Sequence, residues 1–88
     1  MEKIKQTDID FGTFRLGYEF RIKKFTTEKE WNLCSELEEI MYTEYKYNFT
    51  IHDLDDIGFV VFNVYTQNDS PIEIMDRIVN EINKLITN

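Results

Sequence analysis

The chain has 88 residues, 42% of them hydrophobic and 15% aromatic, and a formal net charge of −7. This length fits one domain, and the apolar content argues against a disordered chain. One cysteine excludes an internal disulfide, and the longest apolar run, residues 57–62, is too short to span a membrane. The first ten residues contain no apolar segment of a secretory signal, which favours a cytoplasmic location.

Two strands are the first predicted elements. Apolar side chains occupy every second position from Phe14 to Ile22 and alternate with mostly charged residues, as in a strand with one face in water. Gly12 or Gly17 is expected to form a turn or bulge, and so to connect this strand to an earlier one near residues 9–11.

A helix is predicted next, from a capping box at residues 27–30 to about Tyr45. One side of this helix is apolar and is expected to face the core. That apolar stripe consists of Leu33, Cys34, Leu37, Ile40 and Met41. The opposite side is polar and acidic, and one flank carries Trp31, Glu38, Tyr42 and Tyr45.

Two more strands and a second helix complete the pattern. Residues 47–52 alternate as a strand, residues 53–58 form an acidic turn, and residues 59–66 are apolar on both faces, which is typical of a central strand. A second capping box, Ser70 to Glu73 with proline between them, begins the last helix. Its predicted apolar stripe is Ile72, Met75, Ile78, Val79, Ile82, Leu85 and Ile86, and Glu73, Arg77 and Glu81 are expected to pair on its wet side.

The order of elements is therefore strand, strand, helix, strand, strand, helix. It predicts a single α+β domain over residues 1–88, with a four-stranded antiparallel sheet and both helices on one face. Residues 1–8 carry no predicted element and are a candidate for disorder.

Residues suited to catalysis or metal binding are sparse. His52, the single histidine, lies on the polar phase of a strand with no second histidine or thiol near it, so a surface position is favoured over a catalytic or metal-binding one. Cys34 lies on an apolar stripe, which favours a buried thiol over a reactive one. Residues 53–58 begin like a calcium loop, but Ile57 and Val64 occupy positions that need ligands. We predict no catalytic residue, no metal and no cofactor.

Charge is divided unevenly along the chain. Residues 1–29 carry a balance of +2, and residues 30–88 carry −9. The basic residues near Arg21 alternate with aromatic ones, which therefore face the other side of the strand. Because the net charge also opposes phosphate binding at long range, direct binding of nucleic acid is not favoured.

Acidic residues accumulate between Glu36 and Asp56, where Lys46 is the single opposing charge. Such a field speeds association with a basic protein, and aromatic side chains on the same helix could anchor it. The alternative is an acidic surface that only keeps the protein soluble. The predicted partner-binding residues are Glu36, Glu39, Asp53, Asp55, Asp56, Trp31, Tyr42 and Tyr45.

These features predict a small, acidic, non-enzymatic protein that neutralises a basic partner, in the manner of toxin-immunity proteins or phage anti-defence proteins. The partner would be a toxin, a nuclease or a defence effector, with no membrane involved. An alternative function is that of a homodimer or structural module that pairs through the apolar second face of the sheet, around Phe59, Val61 and Tyr65.

Two segments carry a resemblance to a known family. Residues 20–25, Phe-Arg-Ile-Lys-Lys-Phe, are similar to the Phe-x-Phe-x-Asp-Phe strand of the pterin-4a-carbinolamine dehydratases, which precedes their first helix. Residues 60–66 resemble the alternating strand of that family that ends in Thr-His. The resemblance covers roughly residues 18–87 and implies the same α+β fold.

The catalytic residues of that family do not carry over to this chain. Its His-His-Pro would fall near residues 49–51, which are Phe-Thr-Ile, and its Thr-His becomes Thr66-Gln67. Dehydration of the carbinolamine needs those imidazoles for acid–base chemistry. The resemblance therefore implies a binding role on the scaffold, with a diverged enzyme acting on a pterin or similar ring through His52 as the alternative.

Overall fold

The fold was analysed in a computed structural model that describes residues 3–22, 28–54, 59–66 and 68–87. Side chains are described for all of these except 28–31, 53–54, 59 and 87. A short 3-10 turn, Gln6–Asp8, precedes the main elements. These are strands β1 (Ile9–Phe14) and β2 (Gly17–Ile22), helix α1 (Glu28–Tyr45), strands β3 (Asn48–Leu54) and β4 (Phe59–Tyr65), and helix α2 (Pro71–Thr87).

The four strands form one antiparallel sheet in the order β1-β2-β4-β3. The strand that is apolar on both faces, β4, lies in the interior of the sheet between β2 and β3, as its pattern predicts. The edges of the sheet are β1 and β3. The α+β class and the order of elements predicted from the sequence are confirmed.

Both helices pack on one face of this sheet. The register places Phe20 opposite Phe62 and Phe49 opposite Val64, so these side chains share the inner face, where all four are buried. The rings of Phe49 and Phe62 lie 5.0 Å apart. From the helices, the fully buried side chains that complete this core are Cys34, Leu37, Met41, Ile74, Ile78 and Ile82. Burial of each large apolar side chain contributes about 1.5–3 kcal/mol.

The first hairpin differs from its prediction in the position of the turn. Arg15 and Leu16 form the turn, so Phe14 ends β1 and does not begin β2. A two-residue turn reverses the face of the following strand, although the alternation in the sequence continues unbroken. Leu16 is consequently 57% exposed. Gly17 is the first residue of β2. Glycine is required at this position because any Cβ would clash with the carbonyl oxygen of Val64.

The outer face of the sheet carries the side chains between those of the core. Val61 lies outside the core cluster but is also buried, and its direct neighbours on β2 and β3 are Arg21 and His52. At one end of this face, Phe14 meets the ring of Tyr65 edge-on at 5.6 Å.

Helix α2 begins as predicted and buries Met75, Ile78, Val79 and Ile82 as predicted, but its buried face differs from the prediction at two positions. The Ser70 hydroxyl accepts a hydrogen bond from the backbone N–H of Glu73 at 3.2 Å, which confirms the first half of the capping box. Ile72 was predicted to be buried and is 54% exposed, whereas Ile74 is fully buried. The helical repeat explains the difference, because Ile74, Ile78 and Ile82 recur at four-residue intervals and Ile72 lies about 200° from Ile74.

The ladder of ion pairs predicted on the wet side of α2 is wrong. Arg77 pairs with Asp69, which precedes the helix, at 2.9 Å. Glu81 is 8% exposed and accepts a hydrogen bond from the hydroxyl of Tyr45. Arg77 and Glu81 therefore connect α2 to other elements and do not pair with each other or with Glu73, although Glu81 also pairs with Lys84, three residues further along the helix, at 3.3 Å.

The segment before β1 is tied to α2. Ile4 is buried, and its backbone N–H and C=O both bond to the side-chain amide of Asn83, at 2.9 and 3.0 Å. The capping box at residues 27–30 has no described side chains, and residues 55–58 of the predicted acidic turn lie outside the described chain. Asp53 and Leu54 were placed in that turn but continue β3.

Candidate functional site

The side of α1 that carries Glu38, Glu39 and Tyr42, which we name the acidic flank, lies beside the edge strand β3. Because α1 buries Cys34 and Met41 against the sheet, the side chains that lie about 40–140° around the helix from Cys34 project past the sheet edge. Glu38 and Glu39 are exposed on this side, and Tyr42, one turn later, is 64% exposed. Their spacing brings the three side chains to one surface of the helix.

A groove of about 330 Å³ runs between this flank and the start of β3. Its floor is the buried ring of Phe49, and its walls carry two carboxylates, a phenol, a hydroxyl and an amide. The lining residues are Ser35, Glu38, Glu39, Tyr42, Asn48 and Phe49. We name it the α1–β3 groove. Its combination of carboxylates with an apolar floor and an exposed aromatic ring suits a cationic, partly apolar ligand.

The end of α1 fixes the position of β3 relative to this flank. Lys46 adopts a left-handed backbone conformation with φ of 61°. Its N–H bonds to the carbonyl of Tyr42 at 3.0 Å, and the N–H of Tyr47 bonds to the carbonyl of Met41 at 3.1 Å. This αL cap ends the helix and turns the chain back, so that β3 runs beside the acidic flank.

A second group of polar and aromatic side chains lies where the end of α1 and the start of β3 meet α2. The rings of Tyr45 and Tyr47 stack at 5.8 Å. The guanidinium of Arg77 lies 5.2 Å from the centre of the Tyr45 ring and donates to the Tyr47 hydroxyl and to Asp69. Tyr47 donates to Asp69 at 2.6 Å, and Tyr45 donates to Glu81 at 2.9 Å. We name this group the Tyr–Arg cluster.

The Tyr–Arg cluster holds its members in fixed protonation states. Burial, reinforced by the hydrogen bond to Asp69, raises the pKa of Tyr47 to about 12, and burial also raises the pKa of Tyr45. The hydrogen bond from Tyr47 lowers the pKa of the Asp69 carboxyl. Both phenols therefore stay protonated near neutral pH, and their hydrogen bonds join α1, β3 and α2.

The predicted partner-binding residues fall in different places. Glu39 and Tyr42 line the α1–β3 groove, and Glu36 is exposed on α1 without lining it. Tyr45 belongs to the Tyr–Arg cluster, where its hydroxyl is already engaged. Asp53 lies in β3 by its backbone. The side chains of Trp31, Asp53, Asp55 and Asp56 lie outside the described part of the structure.

The prediction of the binding set did not include Ser35, Glu38, Asn48 and Phe49, which also line the groove. Their helical members could have been found from the spacing of Ser35, Glu38 and Tyr42, three and then four residues apart. The contributions of Asn48 and Phe49 depend on β3 lying at the sheet edge beside α1.

His52 and Cys34 lie apart from the groove. The His52 ring is exposed on the outer face of β3, with Nε2 3.4 Å from the Thr50 hydroxyl, and Cys34 is buried in the core. Among the residues whose positions are described, no group of three or more His, Cys, Asp or Glu side chains could hold a metal ion.

Comparisons with models of protein families, with curated proteins and with solved structures found no match to this chain. Within the described ranges, neither α1 nor α2 has the length and apolar character needed to cross a lipid bilayer.

Proposed function

We propose that this protein is a non-enzymatic binding module that neutralises a basic protein by occupying part of its positively charged surface. The observation that carries the proposal is the α1–β3 groove, in which Glu38 and Glu39 stand exposed beside Tyr42 over an apolar floor. Among the described residues, no side chain forms an ion pair or hydrogen bond with either carboxylate. Both therefore remain available to a cationic partner.

The net charge of the protein and an aromatic anchor residue would contribute to such a complex in different ways. The net charge of −7 accelerates encounter with a basic protein, while each exposed ion pair contributes only about 0.2–1 kcal/mol. A buried tyrosine anchor can contribute about 2 kcal/mol, and Tyr42 is exposed at the groove. A toxin, a nuclease or a defence effector with a cationic substrate surface is the class of partner that such a groove would inhibit.

Affinity capture with two charge-matched variants tests the proposal. The E38K/E39K variant reverses the groove, and the E73K/D76K variant reverses two exposed acids on α2, so each changes the net charge from −7 to −3. We expect wild type and E73K/D76K to retain the same basic proteins at low salt and E38K/E39K to lose them. The association rate measured with the captured partner should fall about tenfold in E38K/E39K.

The comparison separates a docking site from general acidity. If both variants lose their partners equally, net charge alone is responsible and the groove has no specific role. If both variants retain these partners, the proposal that acidic residues recognise a basic protein is wrong. Far-UV circular dichroism of all three proteins confirms that each is folded before capture.

A further inference from the structure

The strand that borders the α1–β3 groove lies at the edge of the sheet, where none of the described residues pairs with its outer side. β3 pairs with β4 along all seven of its residues, from Asn48 opposite Tyr65 to Leu54 opposite Phe59. Among the described residues, no backbone group outside β4 bonds to it. Alternate N–H and C=O groups of an edge strand point away from the sheet and can pair with another chain.

The sequence of β3 contains one charged residue, Asp53, and otherwise lacks the features that usually protect an edge. Its residues, Asn-Phe-Thr-Ile-His-Asp-Leu, include no lysine, proline or glycine. The other edge strand, β1, contains Gly12 and is shorter by one residue. Of the two edges, β3 is therefore the better template for an added strand, and it is the one beside the groove.

The groove determines which side chains an added strand would need. A new strand lies about 4.8 Å beyond β3 and continues its pleat, so every second side chain points to the face that carries α1. There it would meet Glu38 and Glu39 and the exposed ring of Tyr42. The side chains between them would lie beside Thr50 and His52 on the outer face. The complementary segment is thus extended, with lysine or arginine at alternate positions.

We infer that the partner docks by strand addition, in which an extended segment with alternating basic residues pairs with β3 as a fifth strand beneath Glu38 and Glu39. This inference rests on the proposed function and specifies how the partner binds. Charge complementarity selects this occupant over a second copy of the chain. Antiparallel pairing of two β3 strands would place the acidic flanks of both copies beside the same interface, and like charges oppose that arrangement.

A synthetic peptide tests this mode of binding directly. The probe is a nine-residue peptide with lysine at the odd positions and threonine, valine, tyrosine and valine at the even ones. Two further versions carry N-methyl groups on the backbone, one on the odd residues and one on the even residues. Because alternate N–H groups of a strand point to opposite edges, only one version blocks the face that pairs with β3.

Binding is followed by NMR titration of the 15N-labelled chain. We expect amide shifts centred on residues 48–52, slower amide exchange there, and a loss of at least about tenfold in affinity for one methylated version but not the other. E38K/E39K should weaken binding of the unmodified peptide about tenfold or more, and E73K/D76K should match wild type.

Other outcomes overturn the inference and can be told apart from failure of the proposed function. Equal binding of all three peptides with a loss in E38K/E39K would exclude strand addition and leave the acidic groove as a binding site. Absence of peptide binding would also exclude strand addition, with the capture experiment still deciding the proposed function. Concentration-dependent protection of β3 amides in the chain alone would assign the edge to a second copy. Equal peptide binding by the two charge variants would count against the groove itself and thus against both proposals.

Discussion

Substitution of Tyr47 by phenylalanine measures how strongly the Tyr–Arg cluster holds the fold together. The Tyr47 side chain is 4% exposed, and its hydroxyl donates to Asp69 and accepts from Arg77. Y47F keeps the ring and its stacking on Tyr45 but removes both hydrogen bonds. The remaining pair, Arg77 and Asp69, still contact each other at 2.9 Å, so no charge is left without a partner.

The magnitude follows from the hydrogen bonds and from the pKa. Hydrogen bonds to charged groups contribute about 1.5–3 kcal/mol each. Burial raises the pKa of Tyr47 to about 12, against about 10 in an unfolded chain. A difference of one pKa unit between the folded and unfolded states corresponds to about 1.4 kcal/mol of stability. The Arg77 and Asp69 side chains are 33% and 31% exposed, and solvent screening reduces these values. We expect Y47F to lower the free energy of unfolding by about 2 kcal/mol, and the melting temperature by about 10 °C.

The pH dependence of the stability difference between wild type and Y47F is a second, independent test of this prediction. The pKa of Tyr47 is raised on folding, so its contribution is complete below pH 10 and is lost as the pH rises towards 12. Urea denaturation of wild type and Y47F, followed by circular dichroism, should show a gap that narrows by about 1 kcal/mol between pH 7 and pH 11. The same gap at both pH values, or no gap at pH 7, would show that the hydroxyl does not couple to folding.

Two further substitutions test backbone geometry, one where β2 meets β4 and one at the end of α1. G17A should destabilise the protein by about 3 kcal/mol in urea denaturation, because the added Cβ would clash with the carbonyl of Val64, whereas G12A is the matched control with an atom of Arg21 no closer than 4.0 Å. If G12A costs as much as G17A, close approach of β4 is not the cause. K46G should raise stability by about 1 kcal/mol because glycine adopts positive φ without strain, while K46A, which removes the same charge, should bring no such gain. Equal effects of K46G and K46A on the thermal midpoint would assign the change to the charge.

Local patterns in the sequence predict the elements, and the sheet order decides how they meet. Alternation and helical spacing identify both helices and place β4 in the interior of the sheet, since they depend on neighbouring residues. The turn at Arg15 and Leu16 escapes this reasoning, because alternation runs through a two-residue turn without interruption. The Tyr–Arg cluster escapes it too, because Tyr47 and Arg77 are 30 residues apart and only the packing of α2 on the sheet brings them together.

In the candidate site, too, local sequence patterns predict some of the residues, and strand order decides the others. Glu39 and Tyr42 could be selected from the density of acids and aromatics on α1, whereas Tyr45, selected for the same reason, lies three residues further on and faces α2. The floor at Phe49 and the open edge of β3 depend on which strand lies outermost, and no local pattern specifies that. The groove is therefore a product of strand order, and its charge is a product of the helix sequence.

The two charged regions of the molecule differ in how their charges are balanced. Around α2, Arg77 pairs with Asp69 and Lys84 pairs with Glu81, so the charges there contribute to the fold. On α1, Glu38 and Glu39 follow one another, and the last turn of the helix contains no basic residue. Glu44 in that last turn opposes the helix dipole, and Glu36 and Glu39, three residues apart, repel one another, at a cost of a few tenths of a kcal/mol each. In the complex that we propose, a cationic partner would neutralise these acids and so remove that cost.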